Sequence, residues 1–276
     1  MKKYKIGYAL GVYDMFNAGH LNFLKRAREL CEYLIVGVST DDFAQADNHQ
    51  SPIIHFEDRA RIVRAVRYVD EVIPQYNKDI ITVFQTLHFD VLFLGEDWQM
   101  SLHSKELVHQ LALAGVEVVS ISPNAGNPIK AYCANITAPD HINIGYTQGT
   151  FDLFHIGHLN LLEHAHEHCD YLIVGVNADA LVADYKHKHP VVGECERAEV
   201  LGGMSVVDEV HIVTTLDKLD AHIKFNFNTI FIGDDWKGNP RWEQTCIEMG
   251  NIGVEVKFLP HTDGVSTTQL TKAIRK

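Results

Sequence analysis

Gly149-Thr150-Phe151-Asp152-Leu153-Phe154-His155-Ile156-Gly157-His158 is the stretch from which the rest of the chain is read. The apolar residues before it, Ile142, Ile144 and Tyr146, alternate as a buried strand does. Those after it, Leu159, Leu161, Leu162 and Ala165, have the spacing of one helix face. The ten residues therefore form a tight strand-to-helix turn. Gly149 and Thr150 are small enough for a ligand to approach the backbone. The start of the helix offers unpaired N–H groups and the positive end of its dipole to an anion. Two imidazoles three residues apart, His155 and His158, point into the same space. Such a turn is suited to holding a phosphate and donating hydrogen bonds to it.

The pattern occurs twice. Gly11-Val12-Tyr13-Asp14-Met15-Phe16-Asn17-Ala18-Gly19-His20 stands 138 residues earlier, and the offset is kept along the chain. It aligns Tyr33-Leu34-Ile35-Val36-Gly37-Val38 with Tyr171-Leu172-Ile173-Val174-Gly175-Val176, Arg59 with Arg197, and Val69-Asp70-Glu71-Val72 with Val207-Asp208-Glu209-Val210. Gly95-Glu96-Asp97-Trp98 falls on Gly233-Asp234-Asp235-Trp236. A register unchanged over that distance marks a tandem duplication. The expected domains are residues 1–138 and 139–276, with a boundary near Thr137–Asp140, where Ala138 and Pro139 interrupt the pattern. In the second half we expect strands near 142–148, 171–177, 208–213, 228–232 and 254–259. Helices are expected near 157–169, 195–203, 217–225, 240–250 and 266–275. This alternation predicts an α/β fold of two tandem Rossmann-like domains, each a parallel sheet flanked by helices. Its ligand site would lie beyond the carboxyl ends of the strands.

Composition excludes some functions. The 276 residues carry a formal net charge of −12, which repels polyanions and argues against a nucleic-acid partner. A site for a phosphorylated ligand must then gather its cations locally. No apolar run is long enough to span a bilayer, and Met1-Lys2-Lys3-Tyr4-Lys5 leads directly into a strand. No membrane insertion and a cytoplasmic location are expected. The five cysteines (Cys31, Cys133, Cys169, Cys195, Cys246) form no Cys-x-x-Cys pair and read as buried, reduced thiols.

Gly149 through His158 resembles the G-T-F-D-x-x-H-x-G-H motif of the cytidylyltransferases that activate alcohol phosphates, the glycerol 3-phosphate branch most of all. Lys186 and Lys188 stand eleven and nine residues before Arg197, as that family's lysine pair stands before its arginine. Gly233-Asp234-Asp235-Trp236 matches its G-D-D-W stretch, and His261-Thr262-Asp263-Gly264-Val265-Ser266-Thr267-Thr268 is similar to its R-T-x-G-I-S-T-T run. The resemblance covers the second half and implies transfer of CMP from CTP to a small alcohol phosphate, with magnesium accompanying the CTP. It implies that Thr150, Phe151, Ile156 and Gly157 touch the nucleotide, with Asp234 and Trp236 beside its base. Asp152, Arg197 and Lys218 would serve the acceptor. Two positions depart from the family. His261 stands where it has arginine, and Ser205 replaces an arginine kept in the first half as Arg67.

The chemistry fits these residues on its own terms. The second pKa of a phosphate monoester is ~6, so it is largely dianionic at neutral pH and needs no general base. The difficulty is to bring two polyanions together and stabilise charge on the phosphoryl oxygens. His155 and His158 can donate to those oxygens, Lys186 would bridge the acceptor phosphate and the α-phosphate, and Lys188 would neutralise the nucleotide. Thr262, Ser266, Thr267 and the backbone around Gly264 would cradle the β- and γ-phosphates. Simpler roles compete: Arg197 as a helix cap or partner of a carboxylate, Trp236 as packing, Ser266 as a helix cap, the lysines as a solvated loop.

The first half is stripped at the equivalent places. Asn17 replaces the first histidine, Asn48 and Gln50 replace the lysines, and Pro123 to Lys130 replace the triphosphate run. It reads as an inactive domain that pairs with the second half in an internal pseudo-dimer. Glycerol 3-phosphate is the first-choice acceptor, from the Gly233–Trp236 stretch and the overall spacing. The alternatives are phosphoethanolamine or phosphocholine, whose cationic head would want an aromatic or carboxylate cage, or a nucleotide-binding protein without turnover.

Overall fold

In each half of the chain the turn joins the central strand of a five-stranded parallel sheet to a helix. The computed structural model describes residues 2–48, 51–95, 102–122, 142–262 and 264–274. The chain divides into two compact units, Met1–Asn127 and Pro128–Lys276. The boundary expected near Thr137–Asp140 lies outside the described residues, as do Gln50, the Pro123 to Lys130 run and Cys133.

The first unit runs β1 (Tyr4–Gly11), α1 (Ala18–Leu30), β2 (Cys31–Ser39), α2 (Asp41–Asn48), α3 (Phe56–Arg64), β3 (Glu71–Gln75), α4 (Ile80–Leu87), β4 (Val91–Gly95), α5 (Leu102–Leu113) and β5 (Glu117–Ile121). The second runs β6 (Ile144–Gly149), α6 (Ile156–His166), β7 (Tyr171–Asn177), α7 (Asp179–Lys186), α8 (Glu194–Gly202), β8 (Glu209–Val213), α9 (Lys218–Phe225) and β9 (Thr229–Gly233). A 3-10 turn (Asp234–Trp236), α10 (Pro240–Asn251), β10 (Glu255–Leu259) and α11 (Thr267–Ile274) complete it. Strand order is β3-β2-β1-β4-β5 in one sheet and β10-β9-β6-β7-β8 in the other. These are one topology, and every strand pair is parallel.

The duplication holds to the residue. Gly7 pairs with Leu34 and Val91, and Gly145 with Leu172 and Thr229, each shifted by the same offset. A side chain on Gly145 would put its Cβ 2.5 Å from the Phe231 ring and 2.7 Å from Cys169 Sγ, and Gly7 is hemmed in likewise by Phe93 and Cys31. The glycine lets the aromatic ring and the thiol close over the central strand. The turns also match: Phe151 (φ 52°) and Leu153 (φ 49°) are left-handed, as are Tyr13 and Met15. Each such residue costs roughly 1–3 kcal/mol, offset here by burial of the Phe151 and Leu153 side chains. This strained turn survives where the chemistry is stripped, so it belongs to the fold.

The structure departs from the sequence reading at three places. Helix α7 was not expected; only its Val182 is buried, so its apolar face is too narrow to read. Helix α6 stops at His166 rather than near residue 169. Of the cysteines expected to be buried, Cys31 is, Cys169 and Cys246 are partly exposed, and Cys195 is exposed. Among the described residues no helix is long and apolar enough to cross a membrane.

Candidate active site

Chain order reverses between β6 and β9, the place where open α/β sheets bind ligands beyond the strand ends. A cavity of about 860 Å³ opens there, floored by Gln148 and Gly149 at the end of β6, Asn177 at the end of β7, and Ile232 and Gly233 at the end of β9. Lys186, Lys188, Lys218, Arg241 and Lys272 line it, against the carboxylates Asp152 and Asp235. On a chain of net charge −12 this is the local gathering of cations that a phosphorylated ligand requires.

His155 is the N-cap of α6, and its Nδ1 accepts from the Gly157 N–H at 3.2 Å. The ring proton is therefore on Nε2, available to an oxygen in the cavity. His158 stacks on it with ring centroids 3.8 Å apart. Phe151 meets the His158 ring edge-on at 5.3 Å, so this predicted nucleotide contact also props a histidine. Burial, reinforced by His261, brings His155 down to about 4. Burial, with His155 and Lys186 nearby, holds His158 well below the ordinary imidazole value. Both are neutral at pH 7, so the positive charge around the cavity lies on the lysines and Arg241. Gly157 keeps the His155 ring in place, since a Cβ there would lie 3.1 Å from two of its atoms.

The remaining candidates divide by position. Lys186 ends α7, and its Nζ donates to Thr150 Oγ1 at 3.1 Å. Asp152 lines the cavity, but its two carboxylate oxygens accept from the Val191 and Val192 N–H groups. It thus pins the loop that carries Lys188. Thr262, Ser266 and Thr267 line the wall, where Thr262 Oγ1 accepts from Asn160 and Thr267 Oγ1 donates to the Asp152 carbonyl. Ser266 caps α11 through the Gln269 N–H, so its helix-capping role is present. Lys218, 9% exposed, donates to Gln148 Oε1 (2.8 Å) and to the Leu216 carbonyl (2.9 Å). Trp236 is 40% exposed on the cavity wall, free to present a ring face rather than packed into the core.

Four expected residues lie elsewhere. Arg197 is buried beneath the turn, donating to the carbonyls of Thr150, Asn177 and Val192 and to Asp179. Arg59 makes the same four contacts in the first unit, with Val12, Ser39, Ile54 and Asp41. Arg197 is therefore a structural clamp, not an acceptor ligand. Asp234 turns its carboxylate to the His261 N–H (2.9 Å), and its neighbour Asp235 takes the place on the wall. Ile156 buries its side chain at the start of α6. Gly264 (φ 85°) turns the chain toward α11 away from the cavity lining.

Gln148, Tyr185, Asp235, Arg241, Trp242 and Lys272 line the cavity without having been anticipated. A signal for some of them was present. At the fixed offset Gln148 replaces Leu10 and Lys218 replaces Ile80, polar residues where the stripped copy keeps apolar ones.

A family model described as cytidylyltransferase-like matches residues 8–140 and again 146–273. The chain is similar to an ethanolamine-phosphate cytidylyltransferase of Dictyostelium discoideum, 27% identical over 97% of this chain and 89% of the relative. A probable ethanolamine-phosphate cytidylyltransferase of Encephalitozoon cuniculi is 26% identical over 74% of this chain and 73% of its own. A glycerol-3-phosphate cytidylyltransferase of Bacillus spizizenii is 40% identical over 46% of this chain and 92% of its own.

Proposed function

The chain belongs to the cytidylyltransferase-like family, and we propose that its second unit transfers CMP from CTP to ethanolamine phosphate, releasing pyrophosphate. The observation that carries the chemistry is the stacked pair of neutral imidazoles at the start of α6, His155 with its proton on Nε2, beside the Lys186 ammonium. A phosphate oxygen of the acceptor attacks the α-phosphorus. The new P–O bond forms as the bond to the β-phosphate breaks, and the electron pair leaves with pyrophosphate. His155 and His158 donate to the crowded α-phosphoryl oxygens without competing for a proton, and Lys186 bridges the reacting phosphates. Lys188, Thr262, Ser266 and Thr267 hold the rest of the triphosphate, and Trp236 serves the base.

Among the described residues no group of three or more His, Cys, Asp or Glu side chains could hold a metal. The carboxylate donors fit magnesium only as a companion of CTP, held by the phosphates and water, where it would offset charge on the departing pyrophosphate.

Ethanolamine phosphate takes precedence over the glycerol 3-phosphate expected from the Gly233–Trp236 stretch, because the Dictyostelium alignment runs through both units. Glycerol 3-phosphate is the second reading, favoured by the cations Lys218 and Arg241 and by the 40% identity over one half. The first unit is catalytically silent in this reading. Its Asn17 caps α1, accepting from the Gly19 and His20 N–H groups, and donates to the Met15 carbonyl. The test is pyrophosphate release from CTP or ATP with ethanolamine phosphate, choline phosphate or glycerol 3-phosphate. Turnover with CTP and ethanolamine phosphate is expected, and no pyrophosphate with any acceptor overturns the proposal.

A further inference from the structure

Lys186 and Lys218 are joined by an unbroken line of side-chain hydrogen bonds. Lys186 Nζ donates to Thr150 Oγ1 (3.1 Å), and the Tyr185 hydroxyl lies 3.2 Å from that oxygen. Asn177 Nδ2 donates to the Tyr185 hydroxyl (3.0 Å), and Gln148 Nε2 donates to Asn177 Oδ1 (2.8 Å). Lys218 Nζ closes the line on Gln148 Oε1 (2.8 Å).

Donor and acceptor capacities fix its middle. Gln148 is saturated: its amide nitrogen also donates to the Thr215 carbonyl, and its oxygen also accepts from the Tyr146 hydroxyl. Its orientation is set. Either hydroxyl can donate in the Tyr185–Thr150 contact, because each oxygen already accepts one bond, from Asn177 and from Lys186. The remaining donors of the two ammonium groups are left to the cavity.

The first unit is an internal control. The corresponding residues are Asn48, Val12, Asp47, Ser39, Leu10 and Ile80. Three are hydrocarbons, so no such line can form. Ile80 is buried in the core there, Tyr8 donates to Gln75 instead, and Asp47 pairs with Lys78. The fold is therefore stable with these positions apolar or otherwise paired, and packing does not account for the polar set in the second unit.

Lys186 and Lys218 are the lysines already expected at the acceptor phosphate; we propose that Gln148 and Tyr185, which neither touch it nor were expected there, are positioning residues setting the separation of those two ammonium groups. The inference rests on the reading of the second unit as an alcohol-phosphate cytidylyltransferase. A dianionic phosphate gains most from two cations already spaced to meet different oxygens, because flexible lysines would have to be ordered during binding.

The test uses Gln148→Leu, the first unit's residue, and Tyr185→Phe, which removes one oxygen from a partly exposed ring, each in the full chain. The KM for the alcohol phosphate should rise about 10- to 100-fold, the range for losing a hydrogen bond to a charged group. The KM for CTP should stay within about twofold. Gln148→Leu also removes an acceptor from the Lys218 ammonium, which keeps the Leu216 carbonyl and the Trp242 ring beside it, with Arg241 and Asp217 as the charged neighbours. The pH above which acceptor affinity falls should move in the acid direction. Calorimetric binding of inorganic phosphate, with no turnover required, should be weaker in both variants. Equal phosphate binding in wild type and variants, or equal rises in both KM values, overturns the proposal. A wild type inactive with every alcohol phosphate would remove the catalytic reading, and the phosphate calorimetry would still decide the subsite.

Discussion

Lys218→Ile should make the protein more stable and less active. Burial, helped by Arg241, brings the Lys218 ammonium from its ordinary 10.5 down to about 8. At 1.36 kcal/mol per tenfold change in proton affinity, this is roughly 3 kcal/mol of folding free energy forgone by keeping the charge there. The unfolded chain holds the proton up to 10.5 while the folded one releases it near 8. The penalty is therefore whole below pH 8 and fades as pH rises toward 10.5. Isoleucine removes the charge, and Ile80 shows that the fold accepts it at this position of the equivalent helix. Lost packing around the shorter side chain takes back part of the gain, leaving about 1–3 kcal/mol at pH 7. Urea denaturation followed by tryptophan fluorescence, to which Trp236 and Trp242 contribute, should show a higher midpoint for the variant at pH 7. The gap should be smaller at about pH 9.5. Turnover at subsaturating alcohol phosphate should fall about 100-fold. A variant no more stable than wild type at pH 7, or a gap that does not change with pH, would refute the reasoning.

His155→Asn should keep the α6 cap, as Asn17 does for α1, and so change stability by less than about 0.5 kcal/mol. The same change removes the Nε2–H donor and should reduce kcat by about 100-fold or more; near-wild-type turnover would contradict the role given to that imidazole. Because burial leaves His155 neutral down to about 4, its ring resonances, followed by nuclear magnetic resonance without acceptor, should not titrate near pH 6.5, and titration there would count against it. Arg59→Ala and Arg197→Ala should each destabilise their own unit by roughly 3–5 kcal/mol, because three carbonyls beneath the turn lose their donor and a part-exposed carboxylate loses its partner. Thermal unfolding measures this, and unchanged melting of both would end the clamp assignment. Asn17→Ala should cost about 1 kcal/mol of stability in the first unit while leaving kcat within twofold; a large loss of turnover would show that this unit takes part in the chemistry.

The order of strands and helices was legible because both units repeat strong local patterns. Apolar alternation leads into the Gly149–His158 turn, an amphipathic helix follows, and the whole recurs at a fixed offset. Helix α7 escaped because a short helix burying one residue leaves almost no periodic trace. Which residues share a site was partly legible: a turn motif, a lysine pair and a Ser-Thr run are local, and the strand ends bring them together. Arg197 and Asp234 were misplaced because a side chain's chemistry is readable from sequence while its direction is not. Buried carbonyls captured the guanidinium, and a backbone N–H captured the carboxylate.

The amino-acid sequence by itself determined the duplication, the α/β class and the kind of chemistry, since these rest on residue type and spacing along one chain. Only the tertiary structure decided that the imidazoles are neutral, that Arg197 is a clamp, and that Gln148 and Tyr185 link two lysines. Those properties depend on burial and on partners tens of residues apart, and close packing alone sets them.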